Sequence, residues 1–176
     1  MAQVNPSDLI FLDETSTPTT LTPLYGRSRR GERAVGRVPR GQRTAVSLLA
    51  ALTPDGLGPG LQLPGAVDRM AFDAFIEQAL VPSLRPGQIV VLDNLSVHKS
   101  ARARTAIEAV GCELRFLPTY SPDFNPIEQA FAKLKTALRR VAARTPDDVM
   151  TATTALWDNI TPADARAFYR AAGYNL

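Results

Sequence analysis

The chain has 176 residues, of which 45% are hydrophobic and 21% charged, a globular composition that supports one domain with a real core and excludes a disordered chain. Its net charge of +3 says little about partners, because a nucleic-acid surface is marked by clustered charge and not by the total. A single cysteine, Cys112, excludes an internal disulfide and a cysteine-rich zinc site, and no membrane-length apolar run or leader pattern is present, so the expectation is a cytoplasmic protein with no membrane partner.

Leu9 to Asp13 reads as a first strand ending on its acid. Thr15 to Tyr25 is rich in Thr and Pro and poorly patterned. Residues 27–43 carry Arg27, Arg29, Arg30, Arg33, Arg37, Arg40 and Arg43 against one acid, Glu32. Gly26, Gly31, Gly36, Gly41 and Pro39 make this basic segment (26–43) a loop and not a helix. Thr44 to Leu52 is a strand and Thr53-Pro54-Asp55-Gly56 a turn, with Leu57 to Leu63 returning as a hairpin partner. The glycines and Pro59 count against that partner.

Met70 to Leu84 reads as a helix, because Phe72, Phe75, Ile76 and Leu80 recur near 3.6-residue spacing. Ile89 to Leu92, continuously apolar after Pro86-Gly87, suits a central strand covered on both faces. A helix over 99–110 stops at Gly111, and Glu113 to Leu117 is another strand. Residues 125–172 form a helical region. Its first helix has Asn125 as cap, Pro126 at the first position and Glu128 at the third, with Ile127, Phe131, Leu134 and Leu138 as its apolar stripe. Thr145-Pro146-Asp147-Asp148 and Thr161-Pro162-Ala163-Asp164 repeat the cap grammar and start two more helices, ending near Asn159 and Ala172. Strands followed by accumulating helices predict an α/β domain, a mixed sheet flanked by helices.

Three acids stand out. Asp93 follows the buried strand Ile89 to Leu92, and 34 residues separate it from Glu128. Asp13 holds the same kind of position after the first strand. Open α/β sheets gather ligand sites at the carboxyl ends of strands. If the two strands are adjacent and parallel, the two aspartates face each other, and a divalent cation removes their repulsion. Oxygen-only ligation favours Mg²⁺ or Mn²⁺ over zinc, and such ions support in-line displacement at phosphorus by water or a 3′-hydroxyl. Each acid also has a plain structural role open to it. Glu128 suits a capping box, Asp93-Asn94 a turn, and Asp13 a local cap. Glu14 and Asp123 compete for the metal roles.

The residues Phe11-Leu12-Asp13-Glu14, Val91-Leu92-Asp93-Asn94, His98 and the run Leu117-Pro118-Thr119-Tyr120-Ser121-Pro122-Asp123-Phe124-Asn125-Pro126-Ile127-Glu128, continued by Lys133-Leu134-Lys135, carry a specific resemblance. The chain resembles the DDE transposases of the mariner superfamily, in their bacterial insertion-sequence branch, over residues 9 to about 140. The resemblance implies an RNase H-like fold with a central five-stranded mixed sheet. It implies Asp13, Asp93 and Glu128 as the catalytic, metal-holding acids with Mg²⁺ or Mn²⁺. It implies cleavage and strand transfer at transposon ends, with double-stranded DNA as the substrate and the nucleoid as the place of action. Family members that act alone carry an N-terminal helix-turn-helix region, whereas here the catalytic strand begins at residue 9. The expectation is therefore a single catalytic domain over 1–176: the second product of a split reading frame, with end recognition supplied by the upstream frame's product, a fragment of a longer transposase, or a domain left by decay, with a homodimer as a candidate assembly. Phe131 stands where the family often has tryptophan.

Around the acids, Asn94 can orient Asp93, bond a phosphate or close its own turn. His98, the one histidine, can contact phosphate, order the Asp93 loop or make a local bond. Tyr120 invites comparison with tyrosine recombinases but lacks their arginines and histidines. The seven arginines of the basic segment and Lys133, Lys135, Arg139 and Arg140 are candidate DNA contacts, since arginine suits phosphate. Both sets also suit solvated surface, and basic residues are favoured at a helix's C-terminal half in any case. Two rival functions keep the fold: a DNA-binding or assembly protein without turnover, and an RNase H-like nuclease on another substrate.

Overall fold

The computed structural model describes residues 4–39, 44–94, 99–119 and 121–176. Five strands, β1 (Leu9–Pro18), β2 (Ala45–Thr53), β3 (Gly56–Pro64), β4 (Ile89–Leu92) and β5 (Glu113–Phe116), form one sheet in the order β3-β2-β1-β4-β5. The pairs β1–β2 and β2–β3 are antiparallel, and β1–β4 and β4–β5 are parallel. The expected mixed five-stranded sheet is present, and its parallel half is the part that brings strand ends together.

Strand alternation divides the core in two. Leu9 and Phe11 of β1 and Ile89 and Val91 of β4 face one side, among Leu48, Ala50 and Leu52 of β2. That side is covered by α3 (Ile127–Val141), α4 (Pro146–Ala155) and α5 (Pro162–Ala171). Ile10, Leu12, Val90 and Leu92 face the other side, under α1 (Arg69–Phe75) and α2 (Ala101–Ala109). On α3 the expected stripe is the buried one: Ile127, Phe131, Leu134 and Leu138, joined by Ala130. Each large side chain of that stripe contributes about 1.5–3 kcal/mol by leaving water.

Several elements differ from expectation. The first strand does not end at Asp13 but runs to Pro18, because β2 goes on pairing with it to Pro18↔Ala45 after β4 has stopped at Leu12↔Leu92. The helix expected over 70–84 begins under the Asp68 cap, widens to a π-helical stretch at Ile76–Leu80 and closes as a 3₁₀ turn at Val81–Ser83. Pro82 cannot donate to a carbonyl one turn back, so regular α-helix cannot continue through it. The glycines that counted against β3 have a packing reason. A Cβ at Gly60 would overlap the Trp157 ring, and the Trp157 indole N–H donates to the Gly58 carbonyl at 3.2 Å.

The helices that begin at Thr145 and Thr161 have the expected capping boxes. The α-helical part of the first stops at Ala155, followed by a 3₁₀ turn over Trp157–Asn159. The described part of the basic segment, 26–39, contains neither helix nor strand. Its root is held by Thr19 N–H donating to the Thr44 carbonyl at 2.9 Å and by Arg144 donating to the Leu21 carbonyl at 2.8 Å. Cys112 is buried, its thiol donating to the Arg85 carbonyl at 3.1 Å, and burial pushes its pKa up. It behaves as a small core residue.

Candidate active site

The register of the parallel strands builds the site. Leu12↔Leu92 is the last β1–β4 pair, so Asp13 and Asp93 are the next residues on adjacent parallel strands. Alternation sends both to the side of Phe11 and Val91, which is the side α3 covers. Glu128 lies in the first turn of α3. The three acids, with Asn94, Thr119 and Asn125, line one cavity of about 330 Å³. Neither Glu14 nor Asp123 is among the described residues lining it. Alternation turns Glu14 to the opposite face, and Asp123 is exposed in the turn before α3. A larger cavity, about 760 Å³, lies at the opposite ends of the strands and holds Arg85, Arg166 and Arg170. It contains none of the three acids, so donor chemistry and not size singles out the smaller one.

Asp13 is only 5% exposed. Its Oδ1 accepts from the Glu14 N–H at 2.7 Å and its Oδ2 from the Asn125 side-chain amide at 2.7 Å. Asp93 is half-buried just past β4. The Asn94 side-chain amide donates to Thr119 Oγ1 at 3.0 Å, tying the exit of β4 to that of β5. Glu128 is exposed and makes no capping bond. Asn125, expected to cap α3, spends its side chain on Asp13 instead, while its carbonyl accepts the Glu128 N–H at 3.2 Å. The capping-box alternative for Glu128 is therefore not what the structure holds.

The basic residues separate. Arg27, Arg29, Arg30, Arg33 and Arg37 are all exposed on the irregular segment between β1 and β2. None of the five is among the described residues lining the cavity of the acids. Arg37 instead borders a shallow surface cleft within its own segment, beside Tyr25 and Val38. The three acids thus share one cavity that these arginines do not line. Lys133 pairs with Asp164 at 2.6 Å and so holds α3 to the start of α5. Lys135 is half-buried, and burial lowers its pKa while the Glu128 carboxylate acts to raise it and Arg139 to lower it. Those interactions put Lys135, Arg139 and Glu128 along one side of α3, as their i+7 and i+11 spacing dictates. Arg139 Nε is buried without a hydrogen-bond partner among the described residues. His98, Tyr120, Arg40 and Arg43 lie outside the described residues.

Among the described residues no three acidic, histidine or cysteine side chains are already gathered as an ion-holding cluster. The donor set nonetheless fits an oxygen-seeking divalent ion: three carboxylates on one cavity, one of them fixed at both oxygens by neutral donors. Sequence reasoning missed the Asn125–Asp13 bond. Asn-Pro before a helix reads as a cap, and no local signal reports a partner 112 residues away.

A five-stranded mixed sheet in the order β3-β2-β1-β4-β5, flanked by helices on both faces, defines an RNase H-like fold. The family model for the DDE superfamily endonucleases matches residues 8–150, and the chain belongs to that family. Among solved structures it is similar to the Mos1 strand transfer complex, with a TM-score of 0.67 at 17% identity over 94% of this chain and 51% of that one. A Mos1 mariner paired end complex with Mn matches with a TM-score of 0.67 at 16% identity, covering 97% and 53%. The Mos1 transposase catalytic domain with raltegravir and Mg matches with a TM-score of 0.63 at 16% identity, covering 95% and 77%. At these identities the likeness establishes the fold. The chain spans about half the length of the first two Mos1 chains. No curated protein matches it. Among the described residues no helix is long and apolar enough to cross a membrane.

Proposed function

We propose that this chain is the catalytic core of a transposase of the mariner superfamily's bacterial insertion-sequence branch, and that it cleaves DNA at element ends and transfers the strand. The observation that carries the reading is a cavity lined by Asp13, Asp93 and Glu128, where the β1–β4 pairing ends and α3 starts. The Mos1 structures with Mn and Mg support Mg²⁺ or Mn²⁺ as the cofactor, and the Mos1 paired end and strand transfer complexes support double-stranded DNA as the substrate. The working assembly is a homodimer on DNA, and the place of action is the bacterial nucleoid.

Asp13, Asp93 and Glu128 are the residues that would hold the ions. Bound there, divalent ions supply charge neutralisation and Lewis acidity for in-line displacement at phosphorus by water or a 3′-hydroxyl. The chain's own residues prepare that step. Asn125 and the Glu14 N–H fix the Asp13 carboxylate. Asn94 and Thr119 brace the exit of the strand that carries Asp93. Lys135 and Arg139, on the Glu128 side of α3, take phosphates of the strand leaving the cavity. Lys133 is committed to Asp164 and is a weaker DNA contact than its neighbours. Arg27, Arg29, Arg30, Arg33 and Arg37, exposed and outside the lining of that cavity, grip the duplex.

The test is Mg²⁺- or Mn²⁺-dependent cleavage of the native element ends, with and without the upstream product. Asp93→Asn removes a charge with little change in volume and is expected to abolish cleavage with DNA binding kept. Glu128→Gln is expected to do the same, with a stability change within about 0.5 kcal/mol, because Glu128 is exposed and makes no cap. DNA binding without cleavage under every condition would assign the chain to assembly. Cleavage confined to RNA–DNA hybrids would assign it to a nuclease.

A further inference from the structure

We infer that Asn125 is a positioning residue for the metal site: its side-chain amide sets the plane of the Asp13 carboxylate and couples it to the helix start that carries Glu128. The inference rests on the proposed metal-holding role of these acids. Asn125 is buried at 5% exposure, and its Nδ2 donates to Asp13 Oδ2 at 2.7 Å. Glu14 N–H donates to Asp13 Oδ1 at 2.7 Å. A carboxylate held at both oxygens cannot turn about its own axis, so the direction it offers an ion is set before the ion arrives.

The donor's chemistry matters as much as its place. An amide orients a carboxylate without neutralising it. A lysine or arginine at the same position would cancel the charge that draws a cation. The backbone of Asn125 does the second half of the work. Its carbonyl accepts the Glu128 N–H at 3.2 Å, so one residue holds the carboxylate of Asp13 and the peptide of Glu128. The turn itself is anchored. The Tyr174 hydroxyl donates to the Phe124 carbonyl at 2.9 Å, and the Tyr174 ring packs on Phe11 at 5.0 Å between centroids, two residues before Asp13. Helix capping would have been the ordinary use of this asparagine, and the α3 N-terminus goes without a side-chain cap.

The experiment compares Mn²⁺ binding to the full chain, wild type against Asn125→Ala, by the electron spin resonance signal of free Mn²⁺, with far-ultraviolet circular dichroism and metal-free DNA binding as controls. Loss of a residue that orients a metal ligand weakens affinity on the order of 10–100-fold, and that loss with unchanged controls is the expected result. Binding within about twofold of wild type, in a folded variant, would overturn the inference and leave Asn125 a structural residue. A second measurement needs no change at Asn125. On Mg²⁺ saturation, the side-chain amide resonances of Asn125 are expected to shift in wild type and to stay in place in Asp13→Asn. Stationary resonances in wild type that binds Mg²⁺ would also overturn it. Wild type that binds no Mn²⁺ sensitive to Asp93→Asn would instead overturn the proposed function, and this inference with it.

Discussion

Asp13 illustrates what one residue's surroundings add to its identity. It sits inside β1, with β2 still paired to it on one side through Ala50 and β4 already ended on the other. A carboxylate there is held on a rigid strand yet opens onto a cavity, which suits a group whose task is to be in one place. Its residue type and the apolar run before it were legible in the sequence, and so was Asp93. The donor from Asn125 was not, because it depends on a contact between chain segments far apart. Tyr169 shows the same limit. Its ring is fully buried edge-on against Phe11, and its hydroxyl lies 2.7 Å from the Leu9 carbonyl and 3.0 Å from that of Leu52. The sequence marks it as an aromatic in a C-terminal helix and no more. Burial pushes its pKa well above the ordinary tyrosine value, so it stays a neutral donor. Tyr169→Phe keeps the ring and leaves two buried carbonyls without that donor. The expected loss is about 1–3 kcal/mol in unfolding free energy by urea titration. A loss near zero would mean that water or a backbone shift replaces the hydroxyl.

At the scale of elements, local grammar was most readable where helices start. Both Thr-Pro-x-Asp boxes form, because each side chain bonds within its own turn. The helix expected over 70–84 was readable as an apolar stripe, but its π and 3₁₀ stretches were not, since they reflect the conflict between Pro82 and the core. The second box also carries a bond that the sequence hid. Lys133 of α3 reaches Asp164 at the third position of α5. That bond, with those from the Thr161 hydroxyl and N–H, holds the Asp164 carboxyl down at about 2, below its ordinary 3.8. A depressed carboxylate pKa stabilises the fold fully above 3.8 and loses its contribution as pH falls towards 2. Wild type and Asp164→Asn should therefore differ most in denaturant midpoint at neutral pH, and the difference should shrink between about pH 4 and 2. A gap that stays constant through that window would show that Asp164 acts through its shape as a cap and not through its charge.

At the scale of the molecule, the acids and the arginines lie on different kinds of structure. The acids are fixed by a five-stranded sheet and a helix. Arg27, Arg29, Arg30, Arg33 and Arg37 project from an irregular, exposed segment between β1 and β2, and none is in an ion pair among the described residues. The composition of that segment announced both properties, since clustered like charge with spaced glycines has neither an apolar face to bury nor a regular period. Such a segment is suited to track phosphates with little sequence information of its own. Replacing Arg29, Arg30 and Arg33 together by glutamine should weaken binding to element-end and unrelated duplexes alike. Each lost phosphate contact should lower the slope of log affinity against log salt by about 0.9. A salt series on wild type and the triple variant with two unrelated duplexes measures this directly. An unchanged slope would mean that these arginines do not meet phosphate, and a loss confined to one duplex that they read bases. Either result would leave DNA positioning to Lys135 and Arg139 on the Glu128 side of α3.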